Sequence, residues 1–227
     1  TSFPPNVMIE LCHPTAQRFE DWKKIGVEGG YTTYIYLWGD YNMPGLTPKR
    51  TFESVADQAR LFVSNEVKGV YRCGYGELFG TEGPAYYVYN RILMGSSLGV
   101  DQLVAEYLNR AYGPAAQPME TFFRTLDGQL RAFSAGLQGM DPVALLASIY
   151  TPDVIARMES SLSAAEQLAE TDKQKKRLAL ARIEFDYAKS LGRIAHLYFA
   201  YRLNPSAEFF EPLARETILM RRTSSDG

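Results

Sequence analysis

Apolar positions along the chain keep two different rhythms, and the change between them falls near Leu98. In Asn6–Cys12, Val7, Ile9 and Leu11 alternate with Met8, Glu10 and Cys12. That is period two, and it predicts a strand with one aliphatic face. Tyr31–Trp38 is almost wholly β-branched or aromatic, follows Gly29-Gly30 and stops at Gly39-Asp40, which predicts a second strand. A third is predicted over Gly69–Cys73, running out into Gly74-Tyr75-Gly76-Glu77. Between them lie two helical patterns. One covers Thr15–Lys24; the other covers Phe52–Asn65, where Phe52, Val55, Ala59 and Phe62 share a face and Thr51 serves as N-cap.

Beyond these units the period is helical throughout. Helices are predicted over Pro84–Met94, over Asp101–Tyr112 with Asp101 as N-cap and Gly113-Pro114 as the stop, and over Pro118–Ala135. Asp141-Pro142 and Thr151-Pro152 each pair a capping side chain with proline at the first helical position. Long amphipathic helices follow over Pro152–Glu170 and Asp172–Leu203, and the polar stretch from Arg221 reads as a frayed tail.

Strand and helix alternating three times is the pattern of parallel βαβ units. Two architectures share it. One is a small three-stranded layer clamped by the later helices. The other is the last units of a (β/α)8 barrel whose earlier units lie upstream of Thr1. A whole barrel takes about 250 residues, and a three-stranded parallel sheet has both edges to protect. The pattern alone leaves the two close to even.

Composition narrows the function classes. Net charge is −2, which offers no electrostatic grip on nucleic acid or an anionic membrane. The longest apolar runs are far too short to span a bilayer. Cys12 and Cys73 make neither a metal knuckle nor a disulfide framework, and each, set in an apolar run, is expected to be a buried thiol. His13 and His196 are too far apart in sequence to suggest a metal site, and no phosphate-cradling or dinucleotide glycine motif is present, so no metal or cofactor is expected. The departure from average is the aromatic content, 13% with fifteen Tyr. Rings can pack a core, but they also stack on the apolar faces of sugars while their hydroxyls bond sugar hydroxyls.

Three segments carry a family resemblance. They are Lys68–Glu77, Ala85–Leu93 and Val100–Ala116, the last ending in Tyr112-Gly113-Pro114-Ala115-Ala116. Together they resemble the bacterial domain-of-unknown-function family numbered 4838, over about Met8 to Phe123. The chain departs from that family at Met94-Gly95, where the family often carries Trp. Proteins of that family resemble TIM-barrel glycoside hydrolases of the α-glucuronidase and β-hexosaminidase style. The resemblance therefore implies an α/β fold: C-terminal βα units of a (β/α)8 TIM barrel over residues 1–97, then an all-α helical domain over 98–220 and a disordered tail over 221–227. It implies a glycosidase when the barrel is complete, a carbohydrate substrate, and a secreted or periplasmic location. It carries no catalytic residues over.

Placement at strand ends supplies the candidates instead, since barrel active sites lie at the C-terminal ends of strands. Asp40 follows the second strand, Glu77 follows the third, and Glu10 lies near the end of the first. Glycoside hydrolysis commonly uses two such carboxyl groups, one as acid and one as base or nucleophile. By parity, Val7, Ile9, Leu11, Ile35 and Leu37 face helices, while Met8, Glu10, Cys12, Tyr34, Tyr36, Trp38 and Asp40 share the other face. On the third strand Tyr71, Cys73, Tyr75 and Glu77 lie on one face, Val70 and Arg72 on the other. Trp38, Tyr41 and Tyr75 are the candidate sugar platform, with Tyr34 and Tyr36 assigned to packing. Arg72 is a candidate for a substrate carboxylate, against an internal ion pair, in which Glu10 is a possible partner. His13 is a candidate donor to a sugar hydroxyl. Two rival readings are a carbohydrate-binding protein without catalysis, and a scaffold that dimerises through its C-terminal helices.

Overall fold

The computed structural model describes residues 3–35, 45–72, 78–134 and 140–225. The chain begins with β1 (Ile9–Cys12), α1 (Ala16–Lys23), β2 (Tyr31–Ile35), α2 (Phe52–Ser64), β3 (Gly69–Arg72) and α3 (Phe79–Leu93). It continues as α4 (Val100–Tyr112), a 3-10 turn at Gly113–Ala115, α5 (Ala116–Ser134), α6 (Pro142–Ile149), α7 (Pro152–Leu168), α8 (Asp172–Leu203) and α9 (Ala207–Ser225). The strands form one parallel sheet in the order β1-β2-β3. Its register aligns Glu10 with Thr32 and Gly69, and Cys12 with Tyr34 and Tyr71.

This architecture overturns the barrel expectation. Of the described residues 71% are α-helical, and the sheet among them has three strands of four, five and four residues. The protein is mostly helical, with a small parallel layer clamped by helices. Three βα repeats satisfy both architectures locally; strand count and the share of helix separate them, and neither is visible in periodicity.

Helices cover one face of the sheet. Phe19 of α1 is fully buried, meeting the Tyr31 ring of β2 edge-on at 5.9 Å and Phe62 of α2 at 6.4 Å. Leu11 and Ile35 are buried on the same side. From there the core runs without a break into the helical part, through Val88 and Ile92 of α3, Leu103 and Leu108 of α4, and Phe122 and Phe185 of α5 and α8.

Helix ends follow their caps. Thr51 accepts from the Ser54 amide at α2, Thr151 from Val154 at α7, and Asp141 from Val143 and Ala144 at α6. At α3 the sequence misleads. Its start was expected at Pro84, but it begins at Phe79 with no side-chain cap of its own. Glu184 of α8 caps it from a distance, its carboxylate accepting from the Gly80 amide at 2.9 Å and the Thr81 amide at 2.7 Å. The approach needs Gly80: a Cβ there would lie 2.7 Å from the Ala181 nitrogen. The cap of α4 likewise lies two residues before Asp101, at Gly99, whose amide donates to Gln102 Oε1 at 2.9 Å.

Candidate functional site

The face of the sheet opposite the helices has no covering element among the described residues. Glu10 and Cys12 of β1 are exposed there, and Met8 just before them is 54% exposed. Tyr71 of β3 is 60% exposed. Tyr34 of β2 lies between, half-buried, its ring stacked on Tyr71 at 5.2 Å with an interplanar angle of 16°. The physical cause is the register: Cys12, Tyr34 and Tyr71 are aligned across the sheet, so their side chains leave the same face in one row. The neighbouring row is Glu10, Thr32 and Gly69, and the missing side chain at Gly69 leaves a notch beside Thr32. Strands lie about 4.8 Å apart, so the three span about 10 Å. The face thus presents an aromatic shelf, a carboxylate and a hydroxyl within reach of one small polar molecule.

The Glu10 carboxylate makes no hydrogen bond or ion pair among the described residues. The alternative pairing with Arg72 does not form, because Arg72 leaves β3 on the opposite face, toward α3. There its guanidinium lies 4.5 Å from the centroid of the Tyr86 ring, and it donates to the Tyr86 hydroxyl. This engagement makes Arg72 part of the interior, not of the open shelf. His13 stands one residue past β1 with φ 43°, and its amide donates to the Tyr34 carbonyl at 3.0 Å. Desolvation and then the nearby Arg50 charge hold its imidazole below the usual pKa, favouring the neutral ring. Asp40, Glu77, Trp38, Tyr41 and Tyr75 lie outside the described residues.

Cys12 was expected to be buried and is exposed, because β1 turns its even positions to the open face. Tyr34, expected to pack, is half-buried with its ring packed on Tyr71. Tyr71 is not among the platform residues expected from the sequence. Period-two parity with Tyr75 was the signal that could have found it.

Beneath the C-terminal end of the sheet, on the helix side, lies a second polar group. Glu82 of α3 is pushed up to about 7 chiefly by burial and further by the Glu184 charge, against the pull of Arg72 and Lys49. The Lys49 backbone amide also donates to it. Burial raises the Tyr89 hydroxyl and lowers the Arg50 guanidinium in the same region. Helix N-termini at the carboxyl edge of a parallel sheet commonly hold anionic ligands. Here the chain's own carboxylates take those places: Glu184 at α3, and Asp127 of α5 at α2, where it accepts from the Phe52 amide at 2.8 Å. Phosphate recognition at either helix start would have to displace them.

Among the described residues no cluster of three or more His, Cys, Asp or Glu is arranged to hold a metal. No helix among them is long and apolar enough to cross a membrane. No protein-family model matches the chain, and no curated protein matches it closely enough to count as a relative.

Proposed function

We propose that this protein is carbohydrate-active and holds a glycan on the open face of its sheet, with Tyr71 and Tyr34 as the stacking shelf and Glu10 and Thr32 bonding sugar hydroxyls. The observation that carries the reading is the stacked pair itself: a ring 60% exposed, braced by a second ring 5.2 Å away, beside a carboxylate with no partner among the described residues. A free-standing aromatic side chain loses rotamer freedom on binding, whereas a braced one has already lost it. Apolar sugar faces gain by covering such a ring, and sugar hydroxyls suit the acceptors around it. In chemistry the reading is a glycoside hydrolase, with Asp40 and Glu77, which follow β2 and β3 in sequence, as the acid and base or nucleophile. That second step is supported by their positions in sequence just past β2 and β3, since ligands of open parallel sheets commonly lie outside the carboxyl ends of the strands, and by the family resemblance.

Affinity electrophoresis of the full chain in gels cast with soluble polysaccharides tests the binding step. Retardation by at least one polysaccharide is expected. Tyr71→Ala should weaken it about tenfold, the loss of about 1.4 kcal/mol of stacking, with an unchanged melting temperature. No retardation in any gel, or full retardation of Tyr71→Ala, would remove the shelf from the account. Release of reducing ends tests hydrolysis. Asp40→Asn and Glu77→Gln should each stop it while leaving retardation in place; wild-type turnover in both would exclude them as the reacting carboxyls.

A further inference from the structure

A cleft of about 630 Å³ lies in the helical part, between the start of α7, the second half of α8, and α9. That volume suits a small organic molecule. Its floor is apolar, formed by Ile155 and Ala156 of α7 and Leu197 of α8. Its charged wall is held rigidly in part. Lys189 is fixed between Glu159, at 2.6 Å, and Asp186, at 2.7 Å. His196 places Nε2 3.1 Å from the Tyr150 carbonyl, an acceptor, so that nitrogen carries the proton and the ring is tied to the end of α6.

Two lining charges remain unused. The side chains of Arg193 of α8 and Glu216 of α9 make no hydrogen bond or ion pair among the described residues. They do not pair with each other, although each stands about three turns from the α8–α9 hairpin and so at the same level on adjacent helices. Both line the same cleft. A cation and an anion on adjacent helices, above an apolar floor, match a ligand that carries one charge of each sign and an apolar body.

We propose that this cleft binds a free amino acid with an aliphatic side chain. Its carboxylate lies on the Arg193 guanidinium, its ammonium on Glu216, and its side chain on Ile155, Ala156 and Leu197. The site is separate from the sheet face, and neither reading depends on the other.

Saturation-transfer NMR and titration calorimetry on the full chain test it, with leucine as the probe. 4-Methylpentanoate lacks only the ammonium of leucine, and 3-methylbutylamine lacks only the carboxylate. Leucine should bind about tenfold or more tightly than either. Arg193→Gln and Glu216→Gln should each weaken leucine about tenfold. Both side chains lack partners among the described residues, so unchanged melting temperatures are expected. Ala156→Trp, at an exposed position on the floor, should abolish binding by filling the cleft. The proposal is overturned if leucine gives no saturation transfer at millimolar concentration. It is equally overturned if 4-methylpentanoate binds as well as leucine with Glu216→Gln silent, or if Ala156→Trp leaves binding intact.

Discussion

Glu82 stands where a negative charge is poorly solvated. Its ordinary value is 4.5, and burial raises it to about 7. A group whose folded value lies above its unfolded one binds more protons in the native state, so its contribution to stability is present below about pH 4.5 and is lost as pH rises toward 7. A shift of that size corresponds to about 3 kcal/mol. His13 works in the opposite sense, since its lowered value makes the native state the poorer proton binder. The difference between wild type and Glu82→Gln isolates the carboxyl group. Urea titrations from pH 4.5 to 8 should show the variant gaining on wild type by about 3 kcal/mol as pH rises, then running parallel to it; a constant difference across that range would refute the assignment. Nothing in the sequence singled out this residue. Its environment is assembled by Lys49, Arg72 and Glu184, which are scattered along the chain. The sheet faces, by contrast, were legible at this scale. Alternation alone puts Leu11 and Ile35, both buried, on one face and Glu10 and Cys12 on the other, although the exposure of Cys12 was not expected.

Among the elements, α3 joins the two parts of the molecule. It packs on α2, α4 and α8, and its first amides are held by a carboxylate more than a hundred positions away. Glu184→Ala should cost about 1–3 kcal/mol in equilibrium unfolding, by leaving the Gly80 and Thr81 amides and the Thr81 hydroxyl without that acceptor. It should also lower the Glu82 value, because the Glu184 charge helps to raise it. A carboxyl-carbon NMR titration of Glu82 that stays in place in Glu184→Ala would contradict that coupling. Local caps were readable where they are local: Thr51, Thr151 and Asp141 announced α2, α7 and α6. The start of α3 was not, since its cap comes from α8 and Pro84 mimics a first helical residue while lying inside the helix. The late helix α9 was also missed: Asn204-Pro205 ends the pattern of α8, and the signal passed over was Ser206, a residue type favoured at N-caps, directly before α9.

For the whole molecule, the continuous core predicts that sheet and helices lose structure together. Phe185 is fully buried at the centre of the helical part, edge-on to Phe122 at 5.5 Å, with Lys189 Nζ 5.3 Å from its ring centroid. Phe185→Ala should cost about 3–5 kcal/mol, and amide exchange should quicken in β1, β2 and β3 as much as in α8. Protection retained in the strands alone would mean that the two parts unfold separately. The barrel expectation failed at this scale and for a reason of scale. Each βα unit was read from local rhythm, whereas closure depends on how many strands share the sheet, and here β1, β2 and β3 form it.

The central claim is that a glycan occupies the open face of that sheet. Hydrogen-exchange mass spectrometry tests it most directly, comparing the free chain with the chain saturated by whichever polysaccharide retards it. Slower exchange is predicted in Ile9–Cys12, Tyr31–Ile35 and Gly69–Arg72, with α5 and α7 unchanged. Protection confined to the helical part, or no protection in the strands at saturation, would contradict it.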